Sequence, residues 1–156
     1  MRKRIITPVR QEIPPPGLEW LNIEELAEVE ITSEDSAHPI ESALLDGGTG
    51  WHAATTGKQT IRLIFTNPQQ LRRIYLKFDE PHIERTQEFV LRWSQDGGQS
   101  FQDIVRQQWN FSPQGATCET EDLNVELISV SVLELAIVPD IRGGCALASL
   151  ARLQLA

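Results

Sequence analysis

Apolar residues recur at every second position through the middle of this chain. In "QTIRLIF", Ile61, Leu63 and Phe65 share one face and Arg62 points the other way. In "LRRIYLKF", Ile74, Leu76 and Phe78 alternate with Tyr75 and Lys77; in "QEFVLRWS", Phe89, Leu91 and Trp93 alternate with Val90 and Arg92. A period of two predicts half-buried strands, one face on a core and one toward water. "NP" at 67–68 and "DGG" at 96–98 punctuate these runs as turns.

Further strands are expected at 101–109, 123–128, 130–138 and 146–155. In "LISVSVLELAIV", Ile128, Val130 and Val132 share a face before Leu133, Leu135 and Ile137 take over. That one-residue phase shift predicts a bulge or strand junction near Val132. Near the N-terminus, Asn22 with Glu25 three positions on forms a capping pattern for a short helix. "VEIT" then reads as a strand and Ser33 to Ser36 as a turn. About eight short strands separated by turns, with no lasting helical period, predict an all-β antiparallel sandwich or jelly roll.

Composition narrows the function classes. The chain has 156 residues, 40% of them hydrophobic and 23% charged, which fits one soluble domain with a sizeable core. Residues 1–17 contain Pro14-Pro15-Pro16 and read as an extended arm; residues 18–156 form the domain. The net charge of −8 opposes nucleic acid and anionic membrane, and "MRKR" at the start is the one basic cluster. Pro8, Arg10 and Glu12 interrupt the apolar run after it, so the sequence predicts neither export nor membrane spanning, and a cytoplasmic location is expected. Cys118 and Cys145 lack metal-type spacing and are expected as free thiols. No nucleophile elbow, phosphate loop or H-E-x-x-H motif occurs, and an enzyme is not expected.

The ordered segments "ITSED…HP…ALLDGGTGWH…GKQTIRLIF…LRRIYLKF…FVLRWSQDGGQSF…LELAIVP…ALASLARLQL" resemble the discoidin, or coagulation-factor type C, domain across residues 27 to 155. The resemblance implies a galactose-binding-like jelly roll of the kind used as carbohydrate-binding modules. It also implies a non-catalytic module whose loops at one end bind sugars, phospholipid head groups or proteins. The alternative is an intracellular protein-interaction or assembly domain, or a homo-oligomer, that has lost its sugar and calcium sites.

The resemblance carries over residue by residue. The family's "LDG…T.W" loop wraps a structural calcium; here Asp46 and Thr49 match and Gly47, Gly48 and Gly50 permit the turn. The family closes that site with a glutamate on the last strand, where this chain has Arg152. A guanidinium has donors only and cannot ligate calcium. The expectation is therefore a vestigial loop without calcium, closed by a two-point Arg152–Asp46 ion pair. In the galactose-binding branch a His after this Trp contacts sugar, and His52 matches. Thr55 stands at the family's aromatic position, and Arg85, with Glu84 beside it, stands nearest its arginine. His52, Arg85 and Glu84 are the expected ligand residues, for a carbohydrate or another small polar molecule. Trp51 is expected in the core.

"SQDGGQSF" (94–101) fits the Asp-box pattern, in which Asp96 accepts backbone donors across a hairpin; its role is structural. Asp79, Glu80, Glu84 and Glu88 surround His82 in sequence as a solvated loop, His38 precedes Pro39 in a turn, and periodicity leaves Trp109 unassigned.

Overall fold

Residues Gln59–Asp79 and Cys118–Val138 each form one 21-residue strand, and the two pair antiparallel from Gln59↔Ile137 to Asp79↔Cys118. The computed structural model describes residues 20–156, so the expected arm, residues 1–17, lies outside the described residues. The elements in order are α1 (Ile23–Leu26), β1 (Ala27–Ile31), α2 (Glu41–Leu44), β2 (Trp51–His52), β3 (Gln59–Asp79), β4 (Arg85–Ser94), β5 (Gln102–Phe111), β6 (Cys118–Val138), β7 (Ser149–Leu150) and β8 (Arg152–Leu155).

The β3–β6 pair folds over on itself. Its register skips from Ile64↔Val132 to Gln69↔Val130, so residues 65–68 bulge opposite Ser131. On one side of the fold-over, β3 and β6 lie within a layer ordered β1-β3-β6-β4-β5; on the other, β3 pairs β6 and β8. The two layers enclose one core. Ile61, Leu63 and Phe65, then Ile74, Leu76 and Phe78, then Phe89 and Leu91 are all buried. Phe78 and Phe89 meet across the layers with ring centroids 5.1 Å apart. The alternating pattern thus settled the inward faces, because a sandwich demands it.

Several boundaries differ from the sequence pattern. Asn67-Pro68 is not a turn between strands; the bulge leaves Pro68 without a β6 partner, which a residue lacking an N–H tolerates. The stretches 123–128 and 130–138 are one strand, and the phase shift near Val132 marks where it changes layer. Ile128 does not share the buried face with Val130 but is 80% exposed. The expected strand 146–155 is split into β7 and β8, and its first residues are loop. Helix α1 has Asn22 at its N-cap, yet the side chain makes no capping bond; the Glu25 N–H donates to the Asn22 carbonyl instead, at 3.2 Å. Cys118 and Cys145 are free and exposed.

The outward face of the larger layer carries a row of alternating charge. Glu30 pairs in register with Arg62, Arg62 with Glu134, Glu134 with Arg92 and Arg92 with Asp103, one residue from each of five strands. Arg62 Nη2 lies 2.7 Å from Glu134 Oε2, and Arg92 bonds the other carboxylate oxygen. Both arginines are more than a third exposed while the Glu134 side chain is 5% exposed, so Glu134 is the screened centre of the row. Burial alone would raise its pKa; the hydrogen bonds from Arg92 and Arg62 outweigh that and lower it.

Glu134→Gln is expected to lower the unfolding free energy by about 2 kcal/mol, since it leaves two adjacent guanidiniums without their shared counter-charge. Urea unfolding at neutral pH measures this as a lower midpoint at unchanged slope. A change below about 0.5 kcal/mol would mean that solvent screens the row throughout.

Candidate functional site

Because the β3–β6 ribbon doubles back, the start of β3, the end of β3, the start of β4 and the end of β6 all emerge at one end of the sandwich. The Asp-box hairpin lies at the opposite end. There Asp96 accepts hydrogen bonds from Ser94 Oγ (2.6 Å) and from the Ser100 N–H (2.9 Å) and hydroxyl, and these hold its carboxyl down to about 2. The Gly97 N–H donates to Ser131 Oγ at 2.9 Å, which pins this hairpin to the fold-over. It braces the turn and stands apart from the loop end.

At the loop end, β2 and β7 form a two-residue ladder, Trp51↔Leu150 and His52↔Ser149. Trp51 is fully buried, and its indole N–H donates to the Ser33 carbonyl at 3.0 Å. Alternation along β2 then turns His52 outward, where it is exposed. Its imidazole lies parallel to that of His38, 3.9 Å between centroids at 8°. His38 Nδ1 is 3.1 Å from Asp35 Oδ2, and backbone bonds run from His52 N–H to His38 O and from Asp35 N–H to His52 O. Partial burial and then the neighbouring His38 lower the His52 pKa, with Asp35 and Glu80 opposing. His52 is therefore a neutral ring at pH 7, fixed in orientation. The hydrogen bond from His38 holds Asp35 below the usual carboxylate range.

In the sequence Asp35 and His38 read as turn residues. Their three-residue spacing next to Pro39 was the available signal, but their partnership with His52 depends on loop closure.

Arg85, expected at the ligand, is fully buried beneath the loops. The start of β4 turns its side chain into the sandwich, in step with Gln87, Phe89 and Leu91. Its Nε lies 2.8 Å from Glu80 Oε1, its Nη1 donates to Pro139 O at 2.8 Å and to Gln87 Oε1 at 3.2 Å, and its guanidinium sits over the Phe111 ring. Gln87 passes the chain on, donating to Glu119 Oε1 at 3.3 Å. Arg85 Nη2 and Glu119 Oε2 are buried without hydrogen-bond partners. Burial first, and then Glu121 beside it, push the Glu119 carboxyl up to about 7. For Glu80 burial acts upward too, but Arg85 and the His82 and Ile83 N–H groups outweigh it and lower its pKa. Glu84 stands exposed in the loop before β4.

The 46–50 loop lies against the last strand. Arg152 Nη1 is 3.3 Å from Asp46 Oδ1, a single contact rather than the two-point pairing expected, and the Asp46 side chain is 88% exposed. What holds the loop is close backbone approach. A Cβ on Gly48 would lie 2.0 Å from Ser42 O, and one on Gly50, where φ is +93°, would lie 2.9 Å from Leu150 O. Among the described residues, no group of three or more His, Cys, Asp and Glu side chains is placed to hold a metal ion, and no helix is long and apolar enough to cross a membrane. Trp109 stands exposed on the edge strand β5, opposite Gln87.

No family model matches the sequence, and no curated protein matches it. Solved structures do match in fold. The family 32 carbohydrate-binding module of NanJ from Clostridium perfringens, in complex with galactose, is 16% identical at a TM-score of 0.61, over 87% of this chain and 96% of that one. A pectin-binding carbohydrate-binding module is 18% identical at a TM-score of 0.59, over 83% and 89%. The family 32 module of AlyQ, in complex with 4,5-unsaturated mannuronic acid, is 14% identical at a TM-score of 0.59, over 84% and 95%. The chain thus has the β-sandwich fold of these modules.

Glu119 yields a pH prediction. Its folded pKa stands above the unfolded value of 4.5, so the folded state holds a proton that the unfolded state releases. Its contribution is present in full below about 4.5, is lost as pH rises toward about 7, and is level beyond. Glu119→Gln keeps the acceptor for Gln87 and stays neutral. Paired urea titrations should show the variant equal to wild type at the acid end of that window and more stable at the alkaline end. A stability difference independent of pH would contradict the assignment.

Proposed function

We propose that this chain is a non-catalytic, carbohydrate-binding-like module whose ligand seats at the loop end against His52, with Glu84 on the rim. The observation that carries this reading is the exposed His52 ring, fixed by its parallel stack on His38. A neutral imidazole offers one nitrogen that donates and one that accepts. Adjacent hydroxyls of a sugar both donate and accept, so a fixed imidazole matches them without reorganisation. Arg85 acts from below, holding Glu80 and the Pro139 carbonyl and thereby the two loops that flank His52. Thr55 supplies no ring for stacking, so affinity rests on hydrogen bonds and falls at roughly millimolar to high micromolar Kd.

One observation favours the alternative of a protein-interaction or assembly domain. Ile83, Ile141 and Leu147 are exposed on the loops of this same end. Three aliphatic side chains in water suit a protein partner or a second copy better than a monosaccharide. With a net charge of −8, neither reading includes nucleic acid or an anionic membrane.

A glycan array followed by calorimetric titration of the responding sugar, galactose included, decides between the two. The expected result is saturable binding that His52→Ala weakens at least tenfold with the melting temperature unchanged. A glycan-silent chain whose concentration-dependent sedimentation is abolished by Ile83→Ser with Ile141→Ser would replace the sugar reading with the assembly one.

The 46–50 loop is proposed to work without calcium, because the Arg152 guanidinium stands where the family's closing carboxylate would be. Millimolar calcium should leave the melting temperature unmoved, and Asp46→Asn should cost less than about 0.5 kcal/mol, as for an exposed ion pair. A calcium-dependent rise in melting temperature that Asp46→Asn removes would sink this.

A further inference from the structure

Alternation along β4 and β6 turns Arg85, Gln87 and Glu119 into one space between the layers. There they form a chain. Arg85 Nη1 donates to Gln87 Oε1 at 3.2 Å, and Gln87 Nε2 donates to Glu119 Oε1 at 3.3 Å. At its other end Arg85 holds the loops, with Nε on Glu80 Oε1 and Nη1 on the Pro139 carbonyl, each at 2.8 Å. Glu80 in turn accepts from the His82 and Ile83 N–H groups at 3.2 and 3.3 Å. One guanidinium thus stands between two carboxyl groups, one in a loop and one in the core.

The charge balance of this cluster turns on Glu119. With Glu119 protonated, Arg85 and Glu80 cancel. With Glu119 ionised, two carboxylates compete for one cation, and burial decides between them. The Glu80 side chain keeps 12% exposure and can fall back on water, whereas Glu119 is 2% exposed and cannot. Arg85 Nη2 and Glu119 Oε2 have no hydrogen bond among the described residues, so each can take the other without first giving up a bond.

The charges that face Glu119 are few. Glu121 stands two residues along on β6, and Arg85 reaches it from β4. On β3 its register partner is Phe78, with Lys77 and Asp79 turned to the opposite face. β5 places Phe111 and Trp109 opposite Arg85 and Gln87. Burial and then Glu121 hold the Glu119 carboxyl up at about 7, so its ionisation changes near neutral pH.

We propose that Arg85 is a proton-controlled latch for the loop end. With Glu119 uncharged it clasps Glu80 and the Pro139 carbonyl; with Glu119 ionised its guanidinium turns to Glu119 and frees the loops before β4 and after β6. The sandwich stays folded in both positions. The latch is independent of what the loop end binds and stands whether or not a sugar seats there.

NMR of the whole chain, titrated between about pH 5 and about pH 9, tests it. The Glu119 carboxyl carbon is expected to share one midpoint with the amides of His82, Ile83 and Asp140, the last of which belongs to the same peptide group as the Pro139 carbonyl. The heteronuclear NOE of those three amides should fall above that midpoint, while the Phe89 and Leu91 amides stay constant and report an intact core. Glu119→Gln should remove the midpoint from all three amides and leave the histidine titrations in place. Glu121→Gln should move the midpoint toward acid, which a purely structural role for Glu119 would not do. Loop amides that titrate identically in Glu119→Gln, following His82 instead, overturn the proposal. So does a wild-type chain in which the Glu119 carboxyl titrates while the three amides stay still, or in which it keeps one state throughout.

Discussion

The doubled-over pairing of β3 with β6 is the constraint on which this molecule depends. One ribbon supplies strands to both layers; β1, β4 and β8 pair with it directly and β5 through β4, while β2 and β7 pair with each other. The fold-over at residues 65–68 and Ser131 makes the ribbon's two termini neighbours, and so decides which loops share an end. His52, Glu80, Pro139 and Ser149 are far apart in sequence and meet for that reason. Among the described residues the same geometry leaves β1 at the edge of its layer, with its inward face half-buried.

Charge is handled in two different ways on the two faces of the larger layer. Outside, Glu134 is buried between two arginines that reach water, so each desolvated group has an opposite neighbour at contact distance. Inside, Arg85, Gln87 and Glu119 form a chain beneath the loops that ends with one orphaned donor and one orphaned acceptor. A buried polar network that is not fully satisfied costs stability. Its position under the loop end argues that the loops depend on it: Arg85 reaches both the carboxylate of one loop and the carbonyl that begins another. The histidine pair stands above this network, with His38 half-buried and the His52 ring exposed.

The site was legible only at its most local. Alternation along "GWH" correctly sends Trp51 inward and His52 outward, since adjacent residues on a strand take opposite faces. The same rule applied to "ERTQEFVL" places Arg85 on the inward face with Phe89, so its burial is implicit in the alternation. Asp35 and His38 were invisible as partners of His52, because their contact is made by loop closure between segments with no shared period.

From the sequence alone came the strand faces, the Asp-box hairpin, the break near Val132 and the sandwich class. These follow from local steric and hydrophobic rules that act within a few residues. The tertiary structure decided the rest. It joined 59–79 and 118–138 into single strands through a bulge that absorbs Pro68, buried Arg85, exposed Ile128 and stacked His38 on His52. Each outcome depends on which surfaces face each other once the ribbon folds. A residue's burial and its partners are properties of the packed layers, whereas its face along a strand is a property of the chain.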